Sequence, residues 1–235
     1  MPELAVVVPA AGVGKRMLSN CPKQYLTLID QTVLEHTVMR LLEHKQINRV
    51  VIALSADDEY FRDTALSNHP DISVVVGGQE RVDSVLAGLK YLKSQDYPWA
   101  LVHDAARPCL QLNDLSNLIS TCLESGTGGL LASRVKDTMK LAGAQQNVTQ
   151  TLDRSAMWHA MTPQMYKIDE LIHAIEQGLA NEQVITDESS AIEFAGKTSQ
   201  LVQGSSDNIK ITTPEDLALA EFILTRQKQV IKHDN

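Results

Sequence analysis

Cysteine is scarce. The three present, Cys21, Cys109 and Cys122, are odd in number and form no C-x-x-C pair. That pattern argues against a disulfide framework or a structural zinc and fits a reducing compartment. Neither Cys21 nor Cys109 has an evident base beside it, which disfavours thiol catalysis. The seven histidines show no H-E-x-x-H or other metal spacing. No G-x-S-x-G elbow occurs. No apolar run approaches the ~20 residues that a spanning helix needs, and Met1-Pro2-Glu3 lacks the basic start of a signal peptide. A cytoplasmic protein is expected. Positive charge is short as well: 21 Lys and Arg stand against 29 Asp and Glu, a net charge of −8. A nucleic-acid polymer or an anionic membrane is then a poor partner. Internal repeats and low-complexity stretches are absent.

What is present suits a packed α/β chain. The 235 residues are 43% hydrophobic and 21% charged, enough for one sizeable domain. Apolar runs at 4–8, 49–54, 72–76, 99–103, 128–135, 200–203 and 208–211 read as strands. Between them, apolar residues recur at helical spacing, as in Val82, Val85, Leu86 and Leu89 or Ile168, Leu171, Ile172 and Ile175. The last helix is announced by Thr213, Pro214, Glu215 and Asp216. The alternation predicts a mostly parallel sheet with helices on both faces. Ligands of such sheets bind at the carboxyl ends of the strands. Residues 136–160 break the rhythm. Two short extended pieces, 137–141 and 148–152, flank Gly143-Ala144-Gln145-Gln146-Asn147 and read as a protruding β-arm.

The first strand runs into Pro9-Ala10-Ala11-Gly12-Val13-Gly14-Lys15-Arg16-Met17, closed by Cys21-Pro22-Lys23-Gln24-Tyr25. Small residues let backbone N–H groups approach a ligand, and Lys15, Arg16 and Lys23 add positive charge, which suits a triphosphate. A Walker loop is excluded by Arg16 after Lys15, where a hydroxyl is required. A dinucleotide fingerprint is excluded by Met17 in place of the third glycine. On spacing alone the alternative is an ordinary strand-to-helix turn with surface cations.

Other residues carry possible chemistry. Asp104 follows one predicted strand and Asp207 precedes another, so the two could share a Mg²⁺ with phosphate oxygens and water, or merely end a strand and cap a turn. Arg107, pinned by Pro108, is either a surface arginine or a fork for phosphate. Gly77-Gly78-Gln79-Glu80-Arg81-Val82-Asp83-Ser84 follows a strand and opens a helix. His103 reads as a satisfied core histidine rather than a catalytic one.

The opening motif resembles that of the 2-C-methyl-D-erythritol 4-phosphate cytidylyltransferases, enzymes of the non-mevalonate isoprenoid pathway. The resemblance continues through Asp104-Ala105-Ala106-Arg107-Pro108, Asp137-Thr138, Asp153-Arg154, Thr162-Pro163-Gln164, Thr186-Asp187-Glu188 and Asp207-Asn208-Ile209-Lys210. It implies a Rossmann-like α/β fold and a single nucleotidyltransferase domain over 1–235. It implies Arg16 and Lys23 as catalytic cations. Pro9, Ala10, Ala11, Gly12, Gly14, Lys15, Gly78, Arg81, Ser84 and Lys210 become nucleotide-binding. Asp104, Arg107, Thr138, Arg154, Thr162 and Thr186 become acceptor-binding, and Asp104 and Asp207 hold Mg²⁺. Lys15 departs from an arginine common at its position, keeping charge but losing the fork. The implied reaction is in-line attack of the acceptor's phosphate on the α-phosphate of CTP. The implied assembly is a homodimer, in which the arm reaches into the partner's acceptor site. Two alternatives stand beside it: a cytidylyltransferase for another polyol phosphate such as ribitol 5-phosphate, and a non-catalytic nucleotide-binding protein.

Overall fold

The structure, a computed structural model, describes residues 3–12 and 21–233. In chain order the main elements are β1 (Leu4–Pro9), β2 (Thr27–Leu28), β3 (Gln31–Thr32), α1 (Val33–Leu42), β4 (Ile47–Leu54), β5 (Ile72–Val76), α2 (Arg81–Lys93), β6 (Trp99–Val102) and α3 (Leu112–Ser125). They continue with β7 (Gly129–Arg134), β8 (Met139–Ala142), β9 (Val148–Leu152), β10 (Trp158–Lys167), α4 (Ile168–Ala180), α5 (Glu188–Phe194), β11 (Gln200–Gln203) and α6 (Pro214–His233).

Seven strands form the central sheet in the order β11-β7-β10-β6-β1-β4-β5. β1 pairs in parallel with both β4 and β6, β4 with β5, and β7 with β11. β10 alone among these runs antiparallel, against β6 and β7. β1 shows why the strands read as continuous apolar runs. Leu4, Val6 and Val8 face one core, and Ala5 and Val7 face the other, so none of these five positions meets water. α1 and α3 supply the first core, with Leu34, Val38, Leu115 and Leu118. α2, α4 and α5 supply the second, with Val85, Leu89, Leu171 and Ile192. α6 closes a third cluster around Ile211, Ala220 and Ile223, against Leu28, Val33 and Cys109.

Strand order reverses at β1, because the chain goes first to β4 and β5 on one side and then to β6 on the other. The carboxyl ends of β1 and β6 therefore open the crevice in which such sheets bind ligands. α2 sits close over this point. A Cβ on Gly88 would lie 2.5 Å from Val7 Cγ1, so the helix lies closer to β1 than any side chain at that position allows.

Three expectations need correcting. Residues 208–211 are not a strand. Their backbone bonds are local or go to loops instead: Asn208 N–H donates to Ser205 O, Ile211 N–H donates to Ala106 O, and Asn208 O accepts from Arg107. β10 was not anticipated, because Trp158–Lys167 mixes polar residues and Pro163 into its run and its register shifts between Ala160 and Gln164. The arm ends earlier than 160, since β10 begins at Trp158. The hairpin itself forms as read, with β8 and β9 paired antiparallel in a separate two-stranded sheet whose residues are mostly exposed.

Candidate active site

The floor of the site is the turn after β6. His103 and Asp104 are buried there, and the hydrogen bonds form a directional chain. The Asp104 backbone N–H donates to Thr162 Oγ1 at 3.0 Å. Thr162 Oγ1 also meets His103 Nδ1 at 3.0 Å, and His103 Nε2 meets Arg107 O at 3.1 Å. A carbonyl oxygen can only accept, so Nε2 carries the proton and Nδ1 accepts from the threonine hydroxyl. Burial pushes the His103 pKa down to about 4, so the ring is neutral. The chain ties the end of β6 to β10 and fixes the Asp104 backbone.

Three cations converge on the Asp104 carboxylate. Arg81 Nε lies 3.0 Å from Oδ1, Lys210 Nζ 2.8 Å from Oδ2 and Arg107 Nε 3.4 Å from Oδ2. Burial alone would raise the Asp104 pKa, but these charges outweigh it and hold the carboxyl well below its usual range. Arg81 also binds Glu188 with both terminal nitrogens, at 2.7 and 3.2 Å. Burial pushes the Glu188 pKa up against that pairing. Three cations, Arg81, Arg107 and Lys210, thus meet two buried carboxylates, Asp104 and Glu188.

Two adjoining pockets share this cluster. One is lined by Pro9, Ala10, Ala11, Gly12, Lys23, Gln24, Gly78, Arg81, Ser84, Asp104 and Lys210, among others. The second is lined by Arg81, Asp104, Arg107, Thr162, Gln164, Thr186, Asp187 and Lys210, with Ala160 and Met161. Arg81, Asp104 and Lys210 belong to both. The wall of the first pocket is held from below by Gln24, a buried side chain whose Nε2 donates to Ala10 O at 2.7 Å and Gly12 O at 3.1 Å. Gly77 lets the end of β5 close on this wall, since a Cβ there would meet Ser84 Oγ at 2.6 Å and Ala11 Cβ at 2.9 Å. Lys23 Nζ donates to Ile211 O at 2.9 Å, which joins the loop after β1 to the segment before α6.

The sequence model of the family "IspD: 2-C-methyl-D-erythritol 4-phosphate cytidylyltransferase" matches residues 4–226. The chain belongs to this cytidylyltransferase family. A member from Colwellia psychrerythraea is 56% identical over 233 residues, covering 96% of each chain. One from Vibrio vulnificus is 54% identical over 230 residues, covering 97% of each. Among solved structures, a 4-diphosphocytidyl-2C-methyl-D-erythritol synthase superposes with a TM-score of 0.82 at 34% identity, covering 95% of this chain and 99% of that one. The Francisella tularensis 2-C-methyl-D-erythritol 4-phosphate cytidylyltransferase gives 0.79 at 33% identity, covering 94% and 99%.

Within this cytidylyltransferase, most of the residues named from the sequence come together. Pro9, Ala10, Ala11, Gly12, Lys23, Gly78, Arg81, Ser84 and Lys210 line the first pocket, and Arg107, Thr162 and Thr186 line the second. Gly14, Lys15 and Arg16 lie outside the described residues. Thr138 and Arg154 line neither pocket. Both sit at the arm, where Arg154 donates to Lys136 O across the hairpin base. Thr162 lines the second pocket, yet its hydroxyl is already bonded to Asp104 and His103. Asp207 lines neither pocket, and its carboxylate pairs with Arg226 of α6. Gln24, Gln164 and Glu188 are structural members of the site to which the sequence assigned no role. Gln164 accepts from Ser189 N–H at 2.8 Å and donates to Asp187 Oδ2 at 2.9 Å, so it fastens the start of α5 to β10.

A Mg²⁺ site was expected at Asp104 and Asp207. Among the described residues no group of three His, Cys, Asp or Glu is arranged to hold a metal. Mg²⁺ needs fewer protein ligands than that when a substrate brings phosphates, because one or two carboxylates then suffice. Asp104 fits that requirement as an ionised carboxylate shared by both pockets. Oδ1 accepts from Arg81 alone, so Asp104 would hold the ion there beside its cations. Asp207, tied to Arg226, fits the role only if that pair opens.

Proposed function

We propose that this chain transfers CMP from CTP to the phosphate of 2-C-methyl-D-erythritol 4-phosphate, releasing pyrophosphate and 4-diphosphocytidyl-2-C-methyl-D-erythritol. The observation that carries the reading is the shared cluster: two pockets meet at Arg81, Asp104 and Lys210, so two anionic substrates can abut there.

The acceptor is a phosphate monoester, already anionic near neutral pH, so its oxygen attacks the α-phosphorus of CTP without a general base. What the protein supplies is alignment and compensation of charge. The first pocket takes the nucleotide along Pro9–Gly12 and Gly78–Ser84. Lys23 and Lys210 face its phosphates, and Arg16 is assigned to the same task. Arg107, Thr186 and Lys210 face the acceptor phosphate from the second pocket. His103 moves no proton in this scheme, since both ring nitrogens are engaged within the fold. Mg²⁺, held by Asp104 with the triphosphate, would neutralise charge on the nucleotide.

Thr138 and Arg154 line neither pocket, and the reading assigns them through the arm to the acceptor site of a second subunit. The reading therefore includes a homodimer with composite acceptor sites. No helix among the described residues is long and apolar enough to cross a membrane. The reading also takes the enzyme as cytoplasmic and as acting without membrane or nucleic acid.

The test is pyrophosphate release with Mg²⁺, offering CTP, ATP, GTP or UTP with either methylerythritol phosphate or ribitol 5-phosphate. Turnover that requires both CTP and methylerythritol phosphate is expected. Turnover with ribitol 5-phosphate alone would overturn the acceptor assignment. Absence of turnover with every pair, in folded protein that binds CTP, would overturn the enzymatic reading.

A further inference from the structure

Glu188 is buried as deeply as Asp104, yet it lines neither pocket. A buried carboxylate is costly unless fully paired. Its pairing is bidentate, Arg81 Nη1 to Oε1 at 2.7 Å and Nη2 to Oε2 at 3.2 Å. The same guanidinium sends Nε to Asp104 Oδ1 at 3.0 Å. Two carboxylates from different elements therefore fix one planar fork. Arg81 opens α2, Asp104 follows β6 and Glu188 opens α5.

We propose that Glu188 is a positioning residue for the transfer: through Arg81 it locks the turn at 186–188, one wall of the acceptor pocket, against the nucleotide side. The inference rests on the functional reading above for what the two pockets hold. The asymmetry between the walls gives it direction. The nucleotide wall has ties of its own, Gln24 to Ala10 and Gly12, and Gly78 N–H to Ser84 Oγ at 3.2 Å. Thr186 and Asp187 sit in the same turn as Glu188 and line only the acceptor pocket. Apart from bonds within the turn, they are tied through Gln164 and through the Glu188 fork. Removing the fork loosens the acceptor wall and spares the nucleotide wall.

The variant Glu188→Gln keeps the shape and removes the charge. We expect the KM for methylerythritol phosphate to rise by about 10-fold or more, while the Kd of CTP alone, measured by calorimetry, changes by less than about 2-fold. Glu188→Asp keeps the charge but shortens the reach to the Arg81 fork, and should give the same split should Glu188→Gln fail to fold. A second readout needs no substrate. The Arg81 Nη–H protons that meet Glu188 should exchange slowly with water in the wild-type protein and about 10-fold faster in Glu188→Gln. Rapid exchange in the wild type overturns the proposal. So does a variant with both constants unchanged, or one whose CTP affinity falls as far as its acceptor KM rises. Lack of turnover by the wild type counts against the functional reading instead, and the exchange measurement still decides the strut.

Discussion

Thr162→Val puts the chain of bonds under the active site to a direct test. Valine has nearly the shape of threonine, so packing is kept and the hydroxyl is lost. Two groups then lose their partner at once: the Asp104 N–H, 3.0 Å from Oγ1, and His103 Nδ1, also 3.0 Å away. His103 is 0% exposed and Thr162 4%, so no water replaces the hydroxyl in place. A buried donor or acceptor left unmade costs about 1–3 kcal/mol, hence about 4 kcal/mol for the pair. At ~2–4 °C per kcal/mol for a chain of this size, the melting temperature should fall by roughly 8–16 °C. Thr162→Ser keeps the hydroxyl and gives up one methyl group, so its cost is about 1 kcal/mol. Scanning calorimetry of the three proteins, each paired with an acceptor titration, makes the comparison. Thr162→Val melting within ~2 °C of wild type while demanding more acceptor would refute the argument, and would return the hydroxyl to the substrate as the family resemblance implies.

Three further outcomes are expected. His103 has a folded pKa of about 4, below its unfolded value. As pH falls from ~6.5 to ~4, the unfolded chain takes up a proton that the folded chain refuses, so stability falls by about 3 kcal/mol. Urea unfolding at several pH values should show that slope, and His103→Gln should lose it; an unchanged slope would exclude His103 as its source. Lys23→Ala should lower turnover by ~10²–10³ with only a small fall in melting temperature, and near-normal turnover would remove Lys23 from the reaction. Mixing an Arg154→Ala subunit with a Lys23→Ala subunit should restore part of the activity through heterodimers; no recovery after proven subunit exchange would put Arg154 in its own subunit's site.

The fold was legible where burial is two-sided. β1 and β6 are apolar without interruption, and β4 is so from Val50 to Leu54, because both faces are covered there, and the run of residues records that directly. β10 was not legible, since Trp158 to Ala160 stay partly in water and Pro163 interrupts the ladder. Residues 208–211 misled for the opposite reason. Ile209 and Ile211 alternate with Asn208 and Lys210 as in a strand, but the isoleucines pack on α6 while Asn208 and Lys210 turn toward β10 and Asp104. At the site, residue types were legible and their pairing was not. Arg81, Arg107 and Lys210 stand in the motifs that resemble the family's. That all three choose Asp104, and that Arg81 also takes Glu188, depends on how α2, β6 and α5 pack, which no local pattern encodes. Gln24 is the plainest omission: nothing in Lys23-Gln24-Tyr25 says that its amide turns back under Ala10 and Gly12.

The bonds that shape the site join residues far apart in the chain. Lys23 reaches Ile211 across 188 positions, Arg81 reaches Glu188 across 107, and Arg107 reaches Asn208 across 101. Closing loops of such length costs entropy before the contact rewards it. The site is therefore built by long-range closure and not within any one local stretch. A chain that has formed β1, β4, β5 and α2 already has much of the nucleotide wall, but it holds no acceptor pocket and has no counter-charge for Arg81. The second pocket is complete only when the last third of the sequence has docked, since Thr186, Asp187 and Lys210 line it.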